Sequence, residues 1–358
     1  MHILFSGGGT LGSVTPLIGL IDGIKKHEPN ARFSWVGTSG GPEQGFLASR
    51  AEVVFFGIHA AKFRRYFSFQ NILDIPLFFF SILRAISLLY KTKPDICISA
   101  GGFVSVPVHV AAKMLGIPTW VHQQDIQVGL ANRIMAPFAK TITVAVKDLQ
   151  KKFSQKHVTH IGNPVRAIVF SGKKERARKN FSLSKGVPVV LVVGGGTGAV
   201  ALNTLVCSLL PLVQDRYQIV HVYGKGKEPK DLDALQKRYP NYRAYPFLQE
   251  EMVDAYVLAD LVIFRGGLGT LTELSALKKP AICIPKPGHQ EKNAEFFANK
   301  KAVRVASEDV SPQSLIDTIN LMLSAKGEVR KMVENLSKTL PVPDSAVIFK
   351  ILNRTVKN

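Results

Sequence analysis

Two aliphatic runs in this chain each end in three consecutive glycines and a threonine. The first is His2-Ile3-Leu4-Phe5-Ser6, followed by Gly7-Gly8-Gly9-Thr10-Leu11-Gly12-Ser13. The second is residues 188–193, followed by Gly194-Gly195-Gly196-Thr197-Gly198. A buried strand, a glycine turn and an amphipathic helix make the opening of a βα unit. Glycine permits the tight turn and close backbone approach to a ligand. The helix start then presents free N–H groups to an anion. One such opening in each half predicts a single architecture used twice. The first turn lacks the glycine spacing of a dinucleotide fingerprint and the Gly-Lys-Ser/Thr of a P-loop.

The remaining pattern agrees. Strand-like runs fall at 2–6, 33–36, 53–56, 95–99, 119–122 and 141–144, with helix-like segments at 16–26, 77–90 and 107–115. The second half restarts with strands at 188–193, 218–222, 261–264 and 281–285 and a helix at 200–210. This alternation predicts the α/β class, as two Rossmann-like doubly wound domains facing a cleft. The expected domains are residues 1–163, 164–340 and a C-terminal helix within 341–358 that packs back on the first. The stretch 162–188 reads as linker, with Gly162-Asn163-Pro164, plus the first helix of the second domain. Ligands of such folds bind outside the carboxyl ends of the strands.

Composition narrows the class. An apolar fraction of 46% in 358 residues excludes disordered, collagen-like and coiled-coil chains. Three scattered cysteines without CxxC predict neither a disulfide framework nor a zinc site, and a reducing cytoplasm. The net charge of +20 is spread, +9 over residues 1–163 and +11 over the rest. No nucleic-acid motif accompanies it, so no nucleic-acid partner is expected. No secretory leader is read at Met1. The most apolar stretch, 75–90, contains Arg84 and falls short of the roughly 20 residues that span a bilayer. The pair Asp231-Leu232-Asp233 lies in a polar helical stretch and reads as a solvated face, so no metal or cofactor is expected.

Two further motifs lie at strand ends. In Arg265-Gly266-Gly267-Leu268-Gly269-Thr270-Leu271-Thr272-Glu273 a helix is expected to start near Gly269. Glu273 then reads either as a carboxylate for ribose hydroxyls or as a first-turn acid favouring the helix dipole. In His289-Gln290-Glu291-Lys292-Asn293, Gln290 and Asn293 share a helix face and suit sugar hydroxyls.

These segments, with Gly101-Gly102-Phe103-Val104-Ser105, His122-Gln123-Gln124 and Gly162-Asn163-Pro164-Val165-Arg166, resemble the MurG family of lipid-linked GlcNAc transferases over nearly the whole chain. The resemblance implies the GT-B architecture and inverting transfer of GlcNAc from UDP-GlcNAc to lipid I, giving lipid II in peptidoglycan synthesis. It implies that Glu273 binds the ribose and Leu248 meets the uracil. Arg166, Gly196, Thr197, Leu268, Gly269 and Thr270 would hold the diphosphate, and Gln290 and Asn293 would read GlcNAc. Thr10, Leu11, Gly12 and Gly102 would face the acceptor diphosphate.

Two departures bear on mechanism. Ser13 stands where the family usually has His, and Asp125 where it usually has Asn. A neutral serine hydroxyl cannot remove the acceptor proton. Asp125 is therefore the expected base, with Ser13 beside it; the competing reading is that Asp125 only fixes its loop. His122 is a second candidate, or a structural residue. Gly196-Thr197 also departs from the usual Ser-Gln.

The lipid acceptor implies a bilayer surface and a peripheral place on the cytoplasmic face of the cell membrane. Residues 62–93 carry six basic side chains against Asp74, among aromatics that include Phe63, Phe67, Phe69 and Phe79. Such segments engage anionic interfaces. The competing reading is a buried core helix, and a helix with one face of each kind is expected. Other functions that fit the scaffold are a UDP-GlcNAc 2-epimerase, a glycolipid synthase and a binder that has lost its base.

Overall fold

The computed structural model describes residues 1–59, 69–154, 158–195, 198–213 and 215–357; the side chains of Leu11, residues 69–75 and His289 are not described. The chain divides into two compact units, Met1–Arg166 with Val342–Asn358, and Ala167–Pro341.

The first unit runs β1 (His2–Ser6), α1 (Thr15–Lys25), β2 (Arg32–Thr38), α2 (Pro42–Leu47), β3 (Val53–Ile58), α3 (Phe69–Thr92), β4 (Ile96–Ser99), α4 (Ser105–Met114), β5 (Thr119–Gln123), α5 (Leu130–Met135), β6 (Thr141–Val144) and β7 (Val158–His160). Its sheet has the order β3-β2-β1-β4-β5-β6-β7, and all its pairings are parallel. All five residues of β1 are buried, as a strand covered on both faces requires. Side-chain alternation sends Ile3 and Phe5 to the core beneath α1, with Leu17, Ile21 and Trp35. It sends Leu4 to the opposite core, with Ala85 and Leu89 of α3 and Val108 and Ala111 of α4.

The second unit runs α6 (Lys174–Asn180), β8 (Val189–Val193), α7 (Val200–Val213), β9 (Gln218–Val222), α8 (Leu232–Arg238), β10 (Tyr242–Tyr245), α9 (Glu251–Leu258), β11 (Leu261–Phe264), α10 (Leu268–Ala276), β12 (Ala281–Cys283), α11 (His289–Asn299), β13 (Arg304–Val305), α12 (Pro312–Ser324) and α13 (Lys326–Thr339). The sheet order β10-β9-β8-β11-β12-β13 repeats that of the first six strands of the first unit. In both sheets the order reverses beside the first strand, between β1 and β4 and between β8 and β11. That switch point is where such sheets bind ligands.

The last helix, α14 (Ser345–Lys357), belongs to the first unit. Ile348 and Leu352 enter the core beneath α1. The His27 ring stacks on Phe349 with centroids 5.2 Å apart.

Helix α3 starts at Phe69, earlier than the expected 77, and runs through Pro76. One of its faces is buried, through Ser81, Ala85 and Leu89. The other carries Phe79, Phe80, Leu83 and Tyr90, each at least 60% exposed. Their spacing is helical, so they form one apolar stripe. Phe63 and Phe67 lie outside the described residues, as does the side chain of Phe69. Among the described residues no helix is long and apolar enough to cross a membrane.

Candidate functional site

At the switch point of the first unit, the loops after β1, β4 and β5 meet. Gly102 has φ +94°, and a methyl group there would lie 3.0 Å from the Gly8 carbonyl oxygen and 3.5 Å from Ser13 Oγ. A methyl group on Gly12 would lie 3.8 Å from Gln124 Nε2. The structure thus brings Gly12, Ser13 and Gly102 together with the start of the loop that carries Asp125. Thr10 and Gly12 are exposed, whereas Ser13 is buried and its hydroxyl donates to the Thr10 carbonyl at 3.4 Å. The side chain of Leu11 is not described.

Asp125 is half-buried, and its Oδ1 accepts the Ile126 N–H at 3.0 Å. Its loop is held by Gln123, whose Nε2 donates to the carbonyls of Asp125 and Gln127. Gln123 Oε1 in turn accepts from Asn132 Nδ2 at 2.6 Å. Asn132 Oδ1 is buried without a hydrogen-bond partner, beside Gly101. Leaving such a group unpaired costs about 1–3 kcal/mol, so it is a polar atom suited to a ligand donor. No sequence pattern singles out Asn132; only the fold gathers it to the switch point.

His122 takes the structural reading. Trp120 Nε1 can only donate, and it donates to Thr143 Oγ1 at 2.8 Å. Asn163 Oδ1 can only accept, so His122 Nε2 carries the imidazole proton and donates to it at 3.0 Å. In the neutral ring Nδ1 then accepts from the Thr143 hydroxyl, 2.9 Å away. Burial pushes the pKa of His122 down to about 4, against a smaller upward effect of Asn163. The ring is fully buried, neutral and committed at both nitrogens.

In the second unit, α10 starts at Leu268, and no side chain caps it at Gly267. The N–H groups of its first turn therefore point outward for an anion. Glu273 lies in the second turn, half-buried. The first-turn reading of this acid is thereby corrected, since the dipole acts within the first turn. A methyl group on Gly266, with φ +84°, would lie 3.1 Å from Cys283 Sγ and 3.3 Å from the Gln290 carbonyl oxygen. That close approach packs the loop after β11 against the start of α11. Gln290 Oε1 accepts the Lys286 N–H at 3.1 Å. Asn293 is buried and donates through Nδ2 to the Gly266 carbonyl, while its Oδ1 has no hydrogen-bond partner.

Leu248 is buried in the segment after β10. Beside it Phe247 is 38% exposed, with Lys225 Nζ 5.2 Å from its ring centre. Gly196 and Thr197 lie outside the described residues. Arg166 belongs to the first unit, where its guanidinium lies over the Phe46 ring at 5.5 Å. Among the described residues no group of three or more His, Cys, Asp or Glu side chains is arranged to hold a metal ion.

Comparison with known proteins gives a family for both units. The model of the glycosyltransferase family 28 N-terminal domain matches residues 3–144, and that of the C-terminal domain matches residues 189–346. A protein of Treponema denticola named UDP-N-acetylglucosamine–N-acetylmuramyl-(pentapeptide) pyrophosphoryl-undecaprenol N-acetylglucosamine transferase is 34% identical, covering 88% of this chain and 86% of the relative. A Bacillus thuringiensis protein of the same name, numbered 3, is 35% identical over 88% of this chain and 89% of its own. Among solved structures, MurG of Acinetobacter baumannii has a TM-score of 0.73 at 22% identity over 99% of both chains. A UDP-GlcNAc 2-epimerase of Neisseria meningitidis has a TM-score of 0.70 at 16% identity over 100% of both. At those identities the two structures show a shared fold alone. The sequence matches go further: the chain belongs to glycosyltransferase family 28 and, within it, to the MurG family.

Proposed function

We propose that this chain transfers GlcNAc from UDP-GlcNAc, with inversion, to the C4 hydroxyl of undecaprenyl-diphospho-N-acetylmuramoyl-pentapeptide. The product is lipid II of peptidoglycan synthesis. One observation carries the reading: 34% identity to transferases of that name over 88% of the chain, spanning both units. The 2-epimerase likeness is one of fold only.

In the reaction, acceptor O4 attacks C1 of GlcNAc from the face opposite the diphosphate. The O4 proton passes to a base, and the electrons of the C1–O bond leave with UDP. Asp125 is that base, and Ser13 is the hydroxyl beside it. Thr10, Leu11, Gly12 and Gly102 receive the acceptor diphosphate. The uncapped start of α10, at Leu268, Gly269 and Thr270, supports a place for the donor diphosphate. Together with Arg166, Gly196 and Thr197 it stabilises the charge that develops on UDP. Glu273, one turn farther in, accepts from the ribose hydroxyls, and Leu248 meets uracil through its backbone. Gln290 and Asn293 read the GlcNAc hydroxyls. The unpaired Oδ1 of Asn293 supports that role, because a sugar hydroxyl would satisfy it.

The acceptor is a lipid, and the apolar stripe of α3 supports peripheral binding to an anionic bilayer on the cytoplasmic face. Phe79, Phe80 and Leu83 enter the interface, while Arg84 and Lys91, both exposed, draw headgroups. Replacing Phe79, Phe80 and Leu83 with Ser should abolish sedimentation with anionic vesicles and leave UDP binding intact. Unchanged sedimentation would overturn the membrane reading.

The deciding experiment measures UDP release from UDP-GlcNAc with and without a short-chain lipid I analogue. Acceptor-dependent release with a β-linked disaccharide product is expected. Epimer formed without acceptor would replace the reading. Asp125→Asn should cut kcat by roughly 100- to 10,000-fold with UDP binding unchanged. Full turnover in that variant would remove Asp125 from the role of base.

A further inference from the structure

Glu43, on α2, is an acid that neither the motifs nor the reaction uses, yet it is fully buried against the first glycine turn. Its Oε1 accepts the Thr38 N–H at 2.6 Å, and its Oε2 accepts the Gly9 N–H at 3.2 Å. Two glycines make room for its carboxylate, Gly8 in the turn after β1 and Gly41 just before α2. A methyl group on Gly8 would lie 1.9 Å from Oε1, and one on Gly41 2.6 Å from both oxygens. Neither Gly8 nor Gly41 has positive φ, so backbone conformation does not demand glycine there. Space for the carboxylate does.

We propose that Glu43 is a positioning residue for the acceptor: it braces the near half of the turn so that the far half alone meets the acceptor diphosphate. This rests on the reading of the turn as the acceptor diphosphate site. Glu43 holds Gly9, and Trp35 Nε1 holds the Gly7 carbonyl at 2.9 Å. The Gly9 N–H given to Glu43 is not given to a ligand. Beyond the brace, Thr10 and Gly12 are exposed. A carboxylate here also repels an anionic ligand, so charge and brace predict opposite signs. If Glu43 acted only as a nearby negative charge, its removal would tighten acceptor binding. If it acts as the brace, removal loosens it.

The test is steady-state kinetics with UDP-GlcNAc and a short-chain lipid I analogue. In Glu43→Gln one amide oxygen replaces two, and the new NH2 group faces an N–H donor. Gly41→Ala keeps the charge but pushes the carboxylate with its methyl group; at φ −74° the backbone accepts alanine. Both variants should raise the acceptor KM roughly ten-fold, the worth of one charge-assisted hydrogen bond. The donor KM and UDP affinity should stay within about two-fold, which a general loss of folded structure would not give. A lower acceptor KM in Glu43→Gln, or equal rises in both KM values, overturns the brace. Ser13→Ala separates this inference from the reading beneath it. If Ser13→Ala raises the acceptor KM and the other two variants do not, the role of Glu43 falls and the acceptor site stands. If no variant moves the acceptor KM, both fall.

Discussion

In the first unit, a methyl group on Gly8, Gly9 or Gly102 would meet, at 3.0 Å or less, Glu43, Phe103 or the Gly8 backbone. In the second unit, a methyl group on Gly195 or Gly267 would meet nothing within 4 Å. The strand order around the two switch points is the same. Gly8, Gly9 and Gly102 are therefore needed by the protein's own packing, whereas Gly195 and Gly267 leave space beside helix starts, although Gly198 and Gly266 of the second unit are closely packed. A glycine-rich turn at a switch point does not by itself say which of these it serves.

The sharpest way to break this comparison is one methyl group in each unit. Gly8→Ala places its Cβ 1.9 Å from a buried carboxylate oxygen, with no strained φ to blame. We expect it to cost about 3 kcal/mol or more in urea denaturation. Gly267→Ala has φ −68° and open space, and loses only the preference for glycine at a helix N-cap. That should cost below about 1 kcal/mol. Equal losses in the two variants would show that the turns are packed alike.

A second prediction sharpens the comparison on the ligand side. Glu273→Ala removes a half-buried carboxylate from the second turn of α10. Charge-assisted hydrogen bonds are worth about 1.5–3 kcal/mol, so UDP affinity should fall roughly 10- to 100-fold by calorimetry. Thermal stability and acceptor KM should hardly move. A change in acceptor KM without a change in UDP affinity would tie Glu273 to the wrong substrate.

What the sequence made legible follows from the same contrast. Central strands such as β1 and β8 are continuous aliphatic runs because helices cover both faces, and they stand out without any partner in view. The edge strands β7 and β13 were not legible: they are three and two residues long, and β13 is exposed. The helix start at Leu268 and the carboxylate of Glu273 are close in sequence, so the motif announced them. Glu43 is the opposite case. A lone acid in Ser39-Gly40-Gly41-Pro42-Glu43 looks like a solvated loop residue. Of the glycines that seat its carboxylate, Gly41 is two residues away, but Gly8 comes from a segment that only the folded sheet brings to it. Asn132 is silent in the sequence for the same reason, and the buried face of α3 is set apart from its exposed stripe only by the packing of α4.

Buried histidines act through pH rather than through a substitution, and they distinguish the units by number. Each unit holds one histidine between an asparagine and a hydroxyl: His122 with Asn163 and Thr143, and His221 with Asn203 and Tyr242. Burial pushes His122 down to about 4 and His221 to about 3. The first unit adds His109, fully buried with neither ring nitrogen hydrogen-bonded and pushed down to about 3. Burial also lowers His2 and His160, both in the first unit. A histidine whose folded pKa lies below its unfolded value near 6.5 binds its proton first in the unfolded chain. Its contribution is complete above pH 6.5 and is lost as pH falls toward the folded pKa, on the order of 1 kcal/mol per unit of pH for each group. Asp254 of the second unit is held low by Arg176 and the Lys173 N–H, against the opposing effect of burial. Its contribution is lost only below the carboxylate range, at more acid pH. Between pH 6.5 and 4 the first unit should therefore weaken faster than the second. Both tryptophans of the chain, Trp35 and Trp120, are buried in the first unit. Tryptophan fluorescence thus reports that unit alone, whereas far-UV circular dichroism reports both. On acidification the fluorescence transition should fall at the higher pH. Coincident transitions would mean that the two units unfold as one, and that the difference in their buried histidines does not set the order.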